Sequence, residues 1–591
     1  MFVLFMIALM MILFVSGIIR YEFISLSVLL VFGITGVISA EDLFSGFSHP
    51  AVITVLSVLV ISHAMIQSGL VEHFVMLLNK KTKSVFTKIL ALMLVTGFLS
   101  AFMNNVGALA LVLPVALSMA KDMEINPSQI LMPVAFSSLL GGMVTLIGTP
   151  PNLIVSNYRF EATGEAFDFF SFAPVGLTVF LAGTTFMMLF GKYLIPKRKA
   201  ESQEGLFDIG HYLSEVEVVE SSKMVGESIF SFYSVFKIEV EVLSIIRDER
   251  HIIVPSAQYN LRVGDVLIIK TDSTKLTELI QKTGLKLRGA KLDFVASTPF
   301  LKSDDFALVE VVIRDDSILI GRTAFELSLR NRYNINLVAV SRQGAMSIER
   351  LKSFRFKSGD ILLLQAPIQK LQDTYQRLSC LPLEKRKVVF DPTQSKFTQM
   401  LPLGMFLIAI ILTTLGLLPV QISFSAVAIL LVLTKTISVR VFYEAIEWPT
   451  ILILGSLLPL GTALQNSGVS GKLASLLFSL SNHVSQEMLI VFLMVFTIVI
   501  TNLISSTATA VLMGPVAVSL AAFMNVSPDP LLVSVAIAST TAFITPIAHQ
   551  SNMLVMGPGG YQFRDYWKLG LALSILSIAI SVPLIVRIWP L

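Results

Sequence analysis

Charge is scarce in this chain. Only 14% of its 591 residues are Asp, Glu, Lys or Arg, 54% are hydrophobic, and mean hydropathy is +0.78. Soluble domains carry about 25% charged residues, so a water-soluble fold is excluded and a polytopic membrane protein is expected. The formal charge of +4 asks for no nucleic-acid partner, because basic cytoplasmic loops account for it. A single cysteine, Cys380, excludes an internal disulfide framework and a CxxC metal site. No paired acid and base, metal-ligand cluster or nucleophile elbow points to an enzyme. No TVGYG-like carbonyl filter points to a channel. The opening run, 1–19, has no Lys or Arg before it, as a cleaved signal peptide would; a retained first span is expected.

The strongest absence is local. Ile89–Ala120, Gln129–Tyr158, Met488–Pro528 and Pro530–Phe563 contain no Asp, Glu, Lys or Arg. Within them polar residues gather at a few points: NNVGALALVLP from Asn104, GGMVTLIGTPPN ending at Asn152, SSTATAVLMGP from Ser505, and TTAFITPIAHQSN ending at Asn552. Each half thus has an apolar hairpin with amides or hydroxyls at its tip, followed by a span interrupted by Gly, Thr and Pro. Broken helices in matching positions of two halves point to a transporter's midplane site.

Apolar runs long enough to span about 30 Å of hydrocarbon fall at 1–19, 22–40, 50–69, 128–157 and 172–195, with a hairpin of two short arms at 86–120. The second half repeats the plan at 400–418, 422–437, 449–467, a hairpin at 488–524, 530–557 and 568–590. HPAVITVLSVLVISHAMIQSGL (49–70) matches WPTILILGSLLPLGTALQNSGV (448–469), Asn104 pairs with Ser505, and Pro114 pairs with Pro515. If each hairpin is re-entrant, each half makes an odd number of crossings, and the two are inserted in opposite orientations. Lys80, Lys81, Lys83, Lys88, Lys197, Arg198, Lys199, Lys385, Arg386 and Lys387 then face the cytoplasm. The acidic loops (Glu41-Asp42; Glu161, Glu165, Asp168) and both termini lie outside.

Residues 200–395 break the pattern. Charges are dense, and strand-like alternation replaces long apolar runs. The segment is itself duplicated: Gly226-Glu-Ser-Ile matches Gly321-Arg-Thr-Ala, and LRVGDVLIIK (261–270) matches FKSGDILLLQ (356–365), 95 positions on. Each copy is expected to run from a short helix through a strand containing VLSIIRDERHIIV or LVAVSRQGAMSI to a Gly-Asp turn and a final strand. Two α+β modules, 207–283 and 302–380, are expected in the cytoplasm. Neither carries a GxGxxG or Walker phosphate loop.

An ion held at the breaks must be bound by neutral groups, since only His549 and His63 could ionise there. Unwound carbonyls, hydroxyls and Asn amides suit a hard monovalent cation such as Na⁺. Restarting helix N-termini offer N–H groups to an anion. The bland alternatives are helix-packing glue at the tips, a mere kink at Gly148–Asn152, and a hydrogen-bonded packing role for His549. Pro-Pro in a long apolar run leaves carbonyls that lipid does not tolerate but an ion site uses.

These residues resemble the divalent anion:sodium symporter family of the wider ion-transporter superfamily, marked by a Ser-Asn-Thr motif at each hairpin tip and a broken span containing GTPPN or a relative. The resemblance covers both membrane halves. It implies one sodium site at Ser100, Asn104, Asn105 and the Gly148 carbonyl, and a second at Thr501, Ser505, Ser506 and the backbone near Ile544. It places the anion against Asn105, Val106, Thr149, Ser506, Thr507, Thr545 and Pro546. Here Asn-Asn-Val replaces the first Ser-Asn-Thr and Ser-Ser-Thr the second. A hydroxyl and an amide that would grip two carboxylates are thereby lost, which favours a sulfate-like oxyanion over a dicarboxylate. The modules look like the C-terminal domains of potassium-conductance regulators (TrkA-C type), which dimerise and sometimes bind nucleotides or other small ligands. The expected protein is therefore an α-helical polytopic membrane protein with inverted repeats, re-entrant hairpins and broken helices, carrying an inserted α+β pair of modules. It is expected to work as a homodimeric elevator, in contact with lipid, in the cell membrane. A proton-linked anion or metalloid exporter, with His549 as its support, and a cation channel are the alternatives.

Overall fold

The computed structural model describes residues 2–16, 20–68, 84–123, 125–196, 396–480 and 486–590 of the helical part, and most of 213–287 and 306–383 of the insertion. Of the residues that orient the charge argument, Lys80, Lys81, Lys83, Lys197, Arg198, Lys199, Lys385, Arg386 and Lys387 lie outside the described ones. The chain divides into a helical unit and a unit formed by 200–313 and 317–382.

The first half of the helical unit runs α1 (Phe2–Ser16), α2 (Tyr21–Ile34), α3 (Pro50–Gln67), α4 (Val85–Phe102), α5 (Asn105–Asp122), α6 (Ser128–Gly142), α7 (Pro150–Thr163) and α8 (Ala173–Leu194). After the insertion come α9 (Lys396–Thr414), α10 (Val420–Leu433), α11 (Val439–Glu444), α12 (Trp448–Asn466), α13 (Val469–Leu480), α14 (Gln486–Thr501), α15 (Ser506–Met524), α16 (Asp529–Thr540), α17 (Gln550–Met556) and α18 (Tyr566–Ile588). Among the described residues, six helical segments are long and apolar enough to cross a membrane: Pro50–Gln67, Val85–Phe102, Ala173–Leu194, Trp448–Asn466, Ser506–Met524 and Phe563–Ile588. The chain is a multi-pass membrane protein. The hairpin arms are longer than expected. At 18 residues, α4 extends about 27 Å, so length alone does not make it re-entrant.

Packing pairs elements across the halves in exchanged couples. α3 lies on α10, and α12 on α2. The second arm of the first hairpin, α5, meets α17, while the second arm of the other hairpin, α15, meets α7. α6 meets α17, α16 meets α7, and α8 meets α18. An ion pair reinforces the α7–α16 crossing: Arg159 donates from Nε to Asp529 Oδ1 (2.9 Å) and from Nη2 to Oδ2 (3.2 Å).

In the second unit the two duplicated segments form sheets of the same topology. Strands β1 (Leu213–Glu217), β2 (Glu241–Arg247), β3 (Arg250–Ile253), β4 (Val266–Lys270) and β5 (Lys286–Leu287) lie in the order β3-β2-β4-β1-β5. Strands β6 (Phe306–Ile313), β7 (Asn336–Arg342), β8 (Ala345–Met346), β9 (Ile361–Pro367) and β10 (Cys380–Pro382) lie in the order β10-β6-β9-β7-β8. All neighbours are antiparallel.

The structure corrects two expectations here. VLSIIRDERHIIV and LVAVSRQGAMSI each form a hairpin, not one strand, and the strand after the Gly-Asp turn is not the last. Gly264 and Gly359 sit at φ +88° and +81°, where a side chain would be strained. Their neighbours Asp265 and Asp360 are buried and each holds a bidentate arginine, Arg247 (2.7 and 2.6 Å) and Arg342 (2.7 and 2.7 Å). That pairing fastens the β2 and β7 strands to the turns and satisfies a carboxylate that would otherwise be costly to bury.

Candidate ion and solute site

Each hairpin tip is tied to the break that follows it by the same bonds. In the first half Thr145 Oγ1 donates to the Ala101 carbonyl, and Asn152 Nδ2 donates to the Thr145 carbonyl (2.8 Å) and, at 3.4 Å, to the Gly142 carbonyl. In the second half Thr545 Oγ1 donates to the Asn502 carbonyl (2.8 Å), and Asn552 Nδ2 donates to the carbonyls of Thr545 (3.2 Å) and Ala542 (2.8 Å). Both Asn152 Oδ1 and Asn552 Oδ1 are buried without a partner. The helix after each break supplies a glycine as backing. A Cβ on Gly176 would stand 2.3 Å from the Met143 carbonyl oxygen, and one on Gly570 would stand 2.3 Å from that of Phe543. Only glycine lets α8 and α18 approach the unwound backbone so closely.

These bonds set the register of the two breaks, and it differs from the one the Thr-Pro dipeptides suggest. Thr545 answers to Thr145. The residue answering to Thr149 is His549, and both are extended N-caps, at φ −148° and −151°, of the helices that resume after the break. Residues 546–548 of the second break form a 3₁₀ turn, and each helix resumes at the same distance after its threonine, at Pro150 and at Gln550.

At the first break oxygens converge. The side-chain oxygen of Asn105, itself only 1% exposed, lies 2.6 Å from Ser100 Oγ, which donates to it. The same atom lies 3.2 Å from the Ser138 carbonyl oxygen and 3.3 Å from that of Gly148. Two carbonyls and an amide oxygen pointing at one another, with no hydrogen between them, repel unless a cation sits among them or the amide turns. Uncharged oxygens are the ligands a hard cation takes. Asn104 faces elsewhere. Its Oδ1 accepts from Val106 N (3.2 Å), and its Nδ2 donates to the Glu447 carboxylate (3.3 and 3.1 Å). Val106 itself is buried.

At the second break an amide already fills the equivalent space. Asn502, which answers to Ala101, accepts at Oδ1 from Ile544 N (2.9 Å) and Thr545 N (3.3 Å). Its Nδ2 donates to the carbonyls of Thr541 (3.3 Å) and Ile498 (2.8 Å). Thr501 Oγ1 donates to the Ser539 carbonyl (2.7 Å), and Ser505 Oγ accepts from Ala508 N (3.3 Å) as the N-cap of α15. The Ser506 and Ser539 hydroxyls are buried without partners, as is Thr149 Oγ1 at the start of α7. Thr507 is half-buried beside Ser506, and Pro546 opens the 3₁₀ turn.

The structure therefore brings Ser100, Asn105 and Gly148 together, and Thr501 with the second break. The first tip touches the second half directly, since Asn105 Nδ2 lies 3.4 Å from His549 Nε2. Sequence reasoning missed Asn502, Ser138, the paired Asn152 and Asn552, and Glu447. The two Asn residues end the matched motifs and were findable by aligning them. Glu447 was not, because it begins a span hundreds of residues from the tip it meets. His63, the other ionisable candidate, bonds to Gln67 on α3 (3.2 Å).

Crossed hairpins over two interrupted helices with neutral, buried polar groups define a secondary transporter's core. The sequence profile of the citrate transporter family matches residues 10–521, and the chain belongs to that family. It is 29% identical to an uncharacterized transporter of Escherichia coli (strain K12), over 100% of this chain and 99% of that protein. It is 24% identical to the sodium/sulfate cotransporter 2 of Chlamydomonas reinhardtii, over 56% of this chain and 38% of that one. It is also 27% identical to the sodium-dependent dicarboxylate transporter of Staphylococcus saprophyticus, over 24% of this chain and 28% of that one. The chain is thus a transporter of the citrate, sulfate and dicarboxylate permease group, and not an enzyme.

Proposed function

We propose that this transporter is a sodium-coupled symporter of a small anion, with a sulfate-like oxyanion favoured over a dicarboxylate. The observation that carries the reading is the gathering of the Asn105 amide, Ser100 Oγ and the carbonyls of Ser138 and Gly148 at one buried point, neutral groups of the kind a hard cation takes. The anion lies beside it, against the starts of α7 and α15, where the Thr149 and Ser506 hydroxyls are buried and unspent. Val106, Thr507, Thr545 and Pro546 complete its surroundings. Two helix N-termini aimed at one solute favour negative charge, and a cation next to it offsets the cost of holding that charge away from water.

The second sodium site rests on Thr501, Ser505, Ser506 and the backbone around Ile544. It is the weaker of the two, because Asn502 already occupies the amides of Ile544 and Thr545. The exchanged helix couples and the tips bonded to the breaks support opposite insertion of the halves. The protein works as a homodimeric elevator in the cell membrane, with hairpins and broken spans moving together. Its termini are outside, and its TrkA-C-like modules are cytoplasmic and regulatory.

The test is uptake into proteoliposomes, with labelled sulfate, succinate, citrate and bicarbonate in competition, with and without a Na⁺ gradient at constant pH. Sulfate uptake that follows the Na⁺ gradient is expected. Uptake indifferent to Na⁺ but driven by a proton gradient would favour the exporter reading, to which His549 beside Asn105 lends its one structural support.

A further inference from the structure

We propose that His549 is a positioning residue that latches the Asn105 amide in its ion-free orientation, so that cation binding at the first break is felt at the second. The inference rests on the first sodium site proposed above. Asn105 is flanked on one side by Ser100 Oγ and the Ser138 and Gly148 carbonyls, and on the other by His549 Nε2 at 3.4 Å. Two amide orientations are possible, related by a half-turn. With the oxygen toward the three oxygens, the site is built for a cation and Nδ2 faces the imidazole. With the nitrogen toward them, it donates at 2.6, 3.2 and 3.3 Å to Ser100 Oγ, Ser138 O and Gly148 O, and needs no cation. The oxygen then faces His549.

The imidazole is not indifferent between these. His549 is the N-cap of α17, and its Nδ1 accepts from Ser551 N at 3.1 Å. In a neutral ring whose Nδ1 accepts, Nε2 carries the hydrogen. Nε2–H suits the Asn105 oxygen of the ion-free orientation and opposes the Nδ2–H of the ion-bound one. When a cation draws the oxygen away, two donors confront each other. The ring must then give up the bond in which Ser551 N–H donates to Nδ1, by tautomer or by displacement, and α17 loses its cap. The first half has Thr149 at this place, whose hydroxyl has no partner, so the latch exists on one side only.

The experiment uses the full chain in proteoliposomes. It measures the Na⁺ half-saturation and the maximal rate of anion uptake for wild type, His549→Leu, His549→Gln and Asn105→Ala, with direct Na⁺ binding by calorimetry on the purified proteins. Leu offers the amide nothing in either orientation, and Gln serves both, so each removes the bias toward the ion-free state. Half-saturation for Na⁺ is expected to fall about fivefold in both, the worth of one neutral hydrogen bond, while the maximal rate falls or holds. In an Asn105→Asp background, which has no amide to turn, adding His549→Leu is expected to leave half-saturation where it was. Unchanged or raised Na⁺ half-saturation in either His549 variant overturns the latch; if the Leu variant does not fold, the Gln variant decides. Sodium dependence that survives intact in Asn105→Ala overturns the sodium site and the latch together. Its loss there, with unmoved His549 variants, overturns the latch alone.

Discussion

The two breaks share a frame and differ in what fills it. Both are held by a threonine hydroxyl on the preceding hairpin and by an asparagine that bridges the unwound backbone. At the second, Asn502 inserts an amide that pairs with Thr541 O and the amides of Ile544 and Thr545. At the first, Ala101 stands there instead, and the polar work passes to Asn105, whose oxygen is left facing oxygens. A buried polar group costs free energy unless it is paired. The unwound backbone of the second break is therefore paired through Asn502, whereas at the first the carbonyls of Ser138 and Gly148 are met by the Asn105 amide. On the reading proposed above, one duplicated scaffold gives a structural brace and a cation site.

The largest expected effect breaks this comparison at its receptive end. Asn105→Ala removes the central oxygen. A contact to a charged partner is worth about 1.5–3 kcal/mol, so Na⁺ half-saturation should rise about tenfold or more and uptake at physiological Na⁺ should be lost. The protein should still elute as a single species. Ser506→Ala, at the matching position, should also abolish uptake through the anion, with a smaller shift in Na⁺ dependence. Wild-type uptake by either variant would refute its placement.

Asn502→Ala attacks the brace. It leaves two buried N–H groups and a carbonyl unpaired, each costing about 1–3 kcal/mol. The expected outcome is a clear fall in melting temperature with Asn105-dependent Na⁺ binding retained in whatever remains folded. If Asn502→Ala left stability unchanged and removed Na⁺ binding, the roles assigned to the two breaks would be reversed.

How far these roles were legible depends on whether the signal was local. The tips and breaks could be read because neutral polar residues and Thr-Pro steps stand out in charge-free apolar runs. The register of the second break could not. Thr149-Pro150 and Thr545-Pro546 look alike, but Thr545 bonds as Thr145 does, which makes His549 the counterpart of Thr149. Asn104 read as an ion ligand by its place in a motif, yet its amide is engaged by Glu447, a partner that only the packed fold supplies. In the modules, alternation announced strands correctly. The divisions of β2 from β3 and of β7 from β8 were not read, although Gly344 lies between the latter two.

The glycine backing sharpens the comparison, because it too is the same at both breaks. Gly176→Ala and Gly570→Ala each force a Cβ to within 2.3 Å of a backbone carbonyl oxygen, so α8 or α18 must move. Overpacking of this kind costs about 1–3 kcal/mol. Gly176→Ala should shift Na⁺ half-saturation, whereas Gly570→Ala should lower stability with less change in Na⁺ dependence. Gly107→Ala, with nothing within 4 Å of its added Cβ, serves as the control and should be silent.

The smallest effect is expected in the second unit. The modules have separate apolar cores, one around Val216, Ile245 and Leu267 and the other around Val311, Val340 and Leu362. Their Arg247–Asp265 and Arg342–Asp360 pairs close within each sheet. Replacing 207–380 by a short flexible linker should therefore leave Na⁺ half-saturation and anion selectivity unchanged, because the partners of Asn105 and Asn502 all lie outside that stretch, although Glu447 loses Arg314. Any change should appear in the maximal rate or in the stability of the dimer, read by uptake and by size-exclusion with light scattering. A shift in Na⁺ half-saturation on deletion would mean that the modules act on the breaks themselves, and that the asymmetry between the two halves is not built from Asn105 and Asn502 alone.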